Sequence, residues 1–130
     1  MNSSDLADGQ KVDVYWNFHK KCFSVRSRER DSYGRVVSHS DQIYLRSATL
    51  IVSQSGRKRV LREKRKNVHA VIRGVWSASP VRATVPVSYD PYHHEEFMAN
   101  GRPLRFSPAV MGHVDNGHPI VFADAPPLLN

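Results

Sequence analysis

Seven histidines and twelve carboxylates supply the side chains from which metal sites and acid–base catalysis are built. Two groupings stand out, His93, His94, Glu95 and Glu96 in one, and His113, Asp115 and His118 in the other. Imidazole and carboxylate suit zinc or manganese, and two hairpin loops could converge on one ion. The spacing argues against it. Neighbouring residues of a strand point to opposite faces, so His93 and His94 reach a common metal only from an irregular loop. Asp115 before Asn116-Gly117 is also simply a good turn residue. A metal-free ribonuclease would need a general base, a general acid and a cation over the developing phosphorane. His69 and His19, the latter beside Lys20 and Lys21, are the right residue types, but nothing in the spacing brings them together. No nucleotide loop, nucleophile elbow or paired-carboxylate motif is present. The expectation is a non-enzyme with no catalytic residues and no cofactor, with His93, His94, His113, Asp115 and His118 as weak metal candidates.

A different chemistry has a stronger signal. The twelve residues Gly56 to Asn67, GRKRVLREKRKN, hold Arg57, Lys58, Arg59, Arg62, Lys64, Arg65 and Lys66 against the single acid Glu63. That net charge of +6 nearly equals the +7 of the whole chain. The protein is therefore not basic throughout; its excess charge is one element. Concentrated cations attract phosphate directly and through release of condensed counterions. Such clusters grip backbones rather than read bases. Charge runs are also ordinary solvated surface or import signals, but this one lies mid-chain, with Val60 and Leu61 available to pin it to a core. Tyr15, Phe18, Phe23 and Tyr44 are the aromatic residues that could stack single-stranded bases, with Tyr15, placed opposite Trp16 on a strand, the best candidate. Lys20 and Lys21 are further candidate phosphate contacts. No RNA-binding sheet signature, helix-turn-helix spacing or zinc finger accompanies them.

These residues must be positioned mainly by strands. Val12, Val14 and Trp16 alternate with Asp13, Tyr15 and Asn17, and a turn through Phe18, His19 and Lys20 leads to a second alternating run, Cys22 to Arg28: a hairpin. Arg26 to Asp31 reads as a solvated loop, Tyr33-Gly34 as a turn, and Arg35 to His39, Gln42 to Leu45 and Ala48 to Val52 as strands. The basic run reads as a short helix with Ser55 near its start and Asn67 near its end, with Val60, Leu61, Lys64 and Val68 on one face. A twisted basic hairpin is the rival. Val68 to Trp76 reads as an inner strand with Val68, Ala70, Ile72, Gly74 and Trp76 on one face. All eight prolines fall in the last third, from Pro80 to Pro127. Short strands remain legible there at Val85 to Tyr89, Glu95 to Ala99 and Ile120 to Ala123, with Asn100-Gly101 and Asn116-Gly117 as hairpin turns.

The predicted fold is mainly β (α+β): a small single-domain antiparallel sheet or partly open barrel with one short basic helix. Residues 1–10 form a flexible leader, 11–125 one domain (a core sheet over 11–76 and Pro-rich hairpins over 80–125), and 126–130 a tail. At 130 residues the chain can close a core without staples. Its single cysteine, Cys22, excludes an intramolecular disulfide and a cysteine zinc site. The polar opening is unlike a signal peptide, and no apolar run approaches the ~20 residues of a membrane span. The expected setting is a cytoplasm, with no membrane partner.

Three segments, VYWNFHKKCFSVRS (14–27), GRKRVLREKRKNVHAVIRG (56–74) and YDPYHHEEF (89–97), together resemble a family of small uncharacterised proteins encoded by tailed bacteriophages and prophages. The resemblance runs from about residue 11 to 123. The family has no assigned activity, so what it implies is context: a phage accessory protein in the cytoplasm of a bacterial host. RSRERDSYGR (26–35) and the acidic leader depart from the family's shorter pattern. The leading expectation is a phage accessory protein that binds DNA or RNA by phosphate contacts without strong sequence specificity. The alternative is a host-takeover or anti-defence inhibitor, for example of a CRISPR effector, whose basic element meets a host nucleic-acid-processing protein complex. A virion or assembly component is a lesser alternative.

Overall fold

In a computed structural model, residues 6–124 are described. Among the described residues there are ten strands and one α-helix: β1 (Lys11–Asn17), β2 (Cys22–Ser27), β3 (Val36–Ser40), β4 (Gln42–Val52), α1 (Gln54–Glu63), β5 (Ala70–Trp76), β6 (Val85–Val87), β7 (Met98–Ala99), β8 (Arg102–Pro103), β9 (Phe106–Asp115) and β10 (His118–Ala123). Eight strands make one sheet in the order β3-β2-β1-β5-β4-β9-β10-β6, while β7 and β8 form a small separate hairpin. Every pairing is antiparallel. Among the described residues β3 and β6 are not paired to each other, so the sheet stays open.

The alternation read in the sequence is what buries the core. Val12 and Val14 of β1 are fully enclosed, as are Val25, Ile43, Leu45 and Val110. Ile72, Gly74 and Trp76 share the inner face of β5, as expected. The sheet is strongly curled. Only Asp41 separates β3 from β4, yet those strands stand first and fifth in the sheet, so the chain turns a corner there and the two halves face each other. Phe23 of β2 reaches across this core: a Cβ on Gly112 of β9 would lie 2.9 Å from its ring.

Several boundaries differ from the sequence reading. Gln42 to Val52 is one strand, not two, interrupted by an irregularity between Arg46 and Thr49 where Ser47 takes φ 50°. The longest strand missed is β9, because Pro108 argues against a central strand. Its ladder pairs Arg46 with Ala109 and Ala48 with Ser107, which leaves Pro108 opposite Ser47 at the break, where a donor is dispensable. The strand placed at Glu95 to Ala99 shrinks to Met98–Ala99. That at Val85 to Tyr89 shortens to Val85–Val87, with one further bridge at Ser88. Val68 is solvent-exposed ahead of β5 rather than on its inner face. Both Asn-Gly pairs do turn hairpins, each with two positive φ angles (54° and 75°, 54° and 79°).

Residues 6–10, expected to fray with the leader, are tied down. Leu6 packs on the core, Gly9 N–H donates to Trp76 O at 2.8 Å, and Asp8 accepts from Arg46 at 3.1 Å and from Ala78 N–H at 2.9 Å. These bonds, the Ala78 amide first, hold the Asp8 carboxyl below its ordinary range. Residues 1–5 of the leader and the tail at 126–130 lie outside the described residues.

Candidate nucleic-acid interface

The basic run is a helix followed by a linker, not a hairpin. Ser53, rather than Ser55, caps α1 by accepting from Gly56 N–H at 3.2 Å. The helix ends before Asn67, because Lys64 takes the left-handed conformation (φ 58°) and its N–H donates to Val60 O. Val60 is buried and Leu61 half-buried, although neither belongs to the main core cluster. Gly56 lets the helix approach the linker just before β5 closely: a Cβ there would stand 2.7 Å from that of His69.

Two bonds fasten the helix to the loop after β6. Gln54 Nε2 donates to Glu95 O at 2.8 Å, and Arg57 Nε to Pro91 O at 3.0 Å. Arg57 is accordingly half-buried, whereas Lys58, Arg59, Arg62, Lys64, Arg65 and Lys66 are exposed. Arg62 has Glu63 at 3.4 Å. Beyond the cap, the linker runs between two aromatic residues. Lys64 Nζ lies 5.7 Å from the centre of the Tyr92 ring, and Lys66 Nζ lies 4.9 Å from that of Phe18. Phe18 opens the β1–β2 turn that also carries His19, Lys20 and Lys21, all exposed. Asn17 builds this turn by accepting from the N–H groups of His19 and Lys20, each at 3.0 Å. The end of the run, at Lys66, thus stands beside the turn that carries Lys20 and Lys21. Sequence reasoning named Phe18 among the candidate stacking rings but preferred Tyr15, and it missed Tyr92; the signal was an aromatic residue in each of two polar turns.

Tyr15 faces outward from β1 as expected, but it is half-buried and the Arg26 guanidinium lies 4.7 Å over its ring. Its neighbour Asp13 binds Arg73 through both carboxylate oxygens, at 2.9 and 3.2 Å.

The histidines are distributed differently from a shared ion site. His93 and His94 do sit in an irregular turn, where His93 Nδ1 meets Asp90 Oδ2 at 2.8 Å. This bond, then one from Tyr92 N–H, holds the Asp90 carboxyl below its usual range. Glu96 pairs with Arg105 at 2.6 and 3.0 Å, which lowers its pKa in turn. His113 stacks on Phe122 across the β9–β10 ladder. Asp115 and His118 flank the turn of that hairpin. Among the described residues no three His, Cys, Asp or Glu side chains come together as a metal site. His69 has both ring nitrogens engaged: Nδ1 with Asn67 O at 3.0 Å and Nε2 with Tyr89 Oη at 2.7 Å. A carbonyl only accepts, so Nδ1 carries a proton, and in the neutral ring Nε2 then accepts from the Tyr89 hydroxyl. Cys22 is buried, and that burial pushes its thiol pKa up. Among the described residues no helix is long and apolar enough to cross a membrane.

A small open antiparallel sheet carrying one basic helix, with sequence segments like those of phage proteins, defines the class. The family model described as Mycobacterium phage L5 gene 82 protein matches residues 5–118. The chain belongs to that family. It is 35% identical over 96 residues to the gene 82 protein of Mycobacterium phage L5, spanning 68% of this chain and 76% of that protein. No solved structure matches it significantly.

Proposed function

We propose that this phage protein binds nucleic acid through the cations of residues 57–66, gripping phosphates with little sequence preference, in the cytoplasm of an infected bacterium. One observation carries the reading: six of the run's seven cations are exposed on a segment anchored at Val60, Arg57 and Gln54. An anchored array loses less conformational freedom on binding than a loose tail would. Lys20 and Lys21 extend the charge along the adjoining turn. Arg57 is assigned to anchoring because its Nε already serves Pro91.

The test is fluorescence anisotropy with labelled single-stranded DNA, duplex DNA and RNA across a salt series. The comparison is between the natural protein and a Lys58→Ala/Arg59→Ala/Arg65→Ala variant, which spares the anchors. Four to six phosphate contacts correspond to a log–log salt slope of roughly −4 to −5 on duplex and roughly −3 to −4 on single strands. Loss of three cations should make the slope shallower by about 2 to 3 units. An unchanged slope would sink the assignment. So would an absence of binding at low salt, and a partner captured from nuclease-treated lysate would then give the cations to a protein surface.

A further inference from the structure

Resting on that reading, we infer that the ligand class is single-stranded nucleic acid, with bases stacked on Phe18 and Tyr92 while Lys64 and Lys66 engage the adjoining phosphates. Phe18 is 44% exposed and Tyr92 53%, although both are large aromatic side chains in a protein with an apolar core to receive them. Neither ring sits on a frayed segment. The turn bearing Phe18 is closed by Asn17 and by Lys21 N–H donating to Asn17 O at 2.8 Å. The turn bearing Tyr92 is closed by Asp90, which accepts from Tyr92 N–H at 2.9 Å and, through its backbone carbonyl, from His93 and His94 N–H. Rings held from fixed turns cost little to order when a base stacks on them.

The placement is specific. The two rings lie beside alternate residues of one linker, each with an ammonium over it, so aromatic faces and phosphate-seeking charges alternate along a short path. That combination is how single strands are held without sequence reading, because every base has a π-face. A duplex buries those faces in its own stack and gains nothing from the rings. A lysine at 4.9 or 5.7 Å is a mobile point charge that can swing to a phosphate while a base takes its place. Tyr15 is not in the platform, since it is half-buried and already stacked by Arg26.

The experiment compares a single-stranded oligonucleotide with its matched duplex, using the natural protein, Phe18→Ala/Tyr92→Ala and Phe18→Trp/Tyr92→Trp. Circular dichroism confirms that each variant keeps its fold. Single-strand preference is expected, with affinity reduced at least about fivefold in the alanine pair and an unchanged salt slope, since stacking contributes roughly 5- to 150-fold per base. The tryptophan pair should restore affinity, and its new indoles should be quenched on binding. Equal affinity for duplex and single strand overturns the inference. It also falls if the alanine pair binds like the natural protein while Lys58→Ala/Arg59→Ala/Arg65→Ala does not; phosphate binding then stands without stacking. No binding of any nucleic acid removes both readings together.

Discussion

At the scale of single residues, the hydroxyl of Tyr89 joins the basic segment to the rest of the sheet. It donates to His69 Nε2, and His69 in turn donates to Asn67 O, the last residue of the run. Phe97 packs against the same Tyr89 ring, with centroids 5.3 Å apart. Burial disfavours the phenolate and pushes the Tyr89 pKa from its ordinary 10 up to about 12, with Arg57 opposing the shift and Asp90 reinforcing it. A raised pKa means the fold prefers the neutral phenol. The corresponding stability is fully present below pH 10 and is lost as the pH rises towards about 12. Ultraviolet titration of phenolate absorbance in the natural protein and in Tyr89→Phe should give a difference curve centred near pH 12. A difference curve centred near the ordinary value would show that the ring is solvated and the link to His69 loose. The residue types of this link were visible in the sequence, where His69 read as a candidate acid or base. Its role was not, because Tyr89 is twenty positions away and only the folding of the loop after β6 against the linker brings them together.

At the scale of elements, α1 is poorly designed for its own stability. Its first turn has no acidic residue, against the preference of a helix N-terminus for negative charge. Lys58 and Arg62 are like charges four residues apart, which costs roughly 0.2–0.5 kcal/mol. Tertiary anchoring by Val60, Gln54 and Arg57 offsets this. Charge kept at a cost to stability fits a binding role, and Lys58→Glu separates the two quantities. It replaces a repulsive pair by a favourable Glu–Arg pair, a gain of about 0.4–1 kcal/mol. The midpoint of urea unfolding should rise while affinity for single-stranded DNA falls. A stabilised variant with undiminished affinity would remove Lys58 from the binding surface. The helix itself was legible because Ser, Val-Leu and a polar linker mark its start, buried face and end within a few residues. Its cap was displaced from Ser55 to Ser53, since cap geometry depends on where β4 releases the chain. The β1–β2 hairpin and β5 were legible from alternation, whereas β9 was hidden by Pro108, whose tolerance depends on Ser47, sixty-one positions earlier.

At the scale of the whole molecule, the decisive feature is the curl that places β2 against β9 across the core, although three strands lie between them in the sheet. Periodicity identifies a strand's inner face but not the strand it will face, so this relation was absent from the sequence reading. It has a local signature in Gly112, where a Cβ would come within 2.9 Å of Phe23 Cζ and 3.1 Å of Ile43 Cγ1. A glycine inside a strand normally weakens it, so its retention here fits the close approach of a ring. Gly112→Ala should therefore destabilise the fold by about 1–3 kcal/mol despite the better strand propensity of alanine. Shortening the ring in Phe23→Leu costs stability by itself, because it leaves a void and also deprives Trp16 of its edge-on partner at 5.3 Å. In the double variant the added methyl occupies part of that void. The cycle should show favourable coupling of at least about 0.5 kcal/mol by urea denaturation, as expected for directly touching side chains. Strictly additive losses would mean that Phe23 and Gly112 do not meet, and the sheet would then be flatter than its β3–β4 corner implies. That corner bears on the proposed interface as well. A Cβ on Gly117 in the β9–β10 turn would lie 3.6 Å from Lys21 Cδ, so the curl also sets where the Phe18 turn stands. Gly112→Ala, if it opens the curl, should weaken single-strand binding without altering any residue of the basic run.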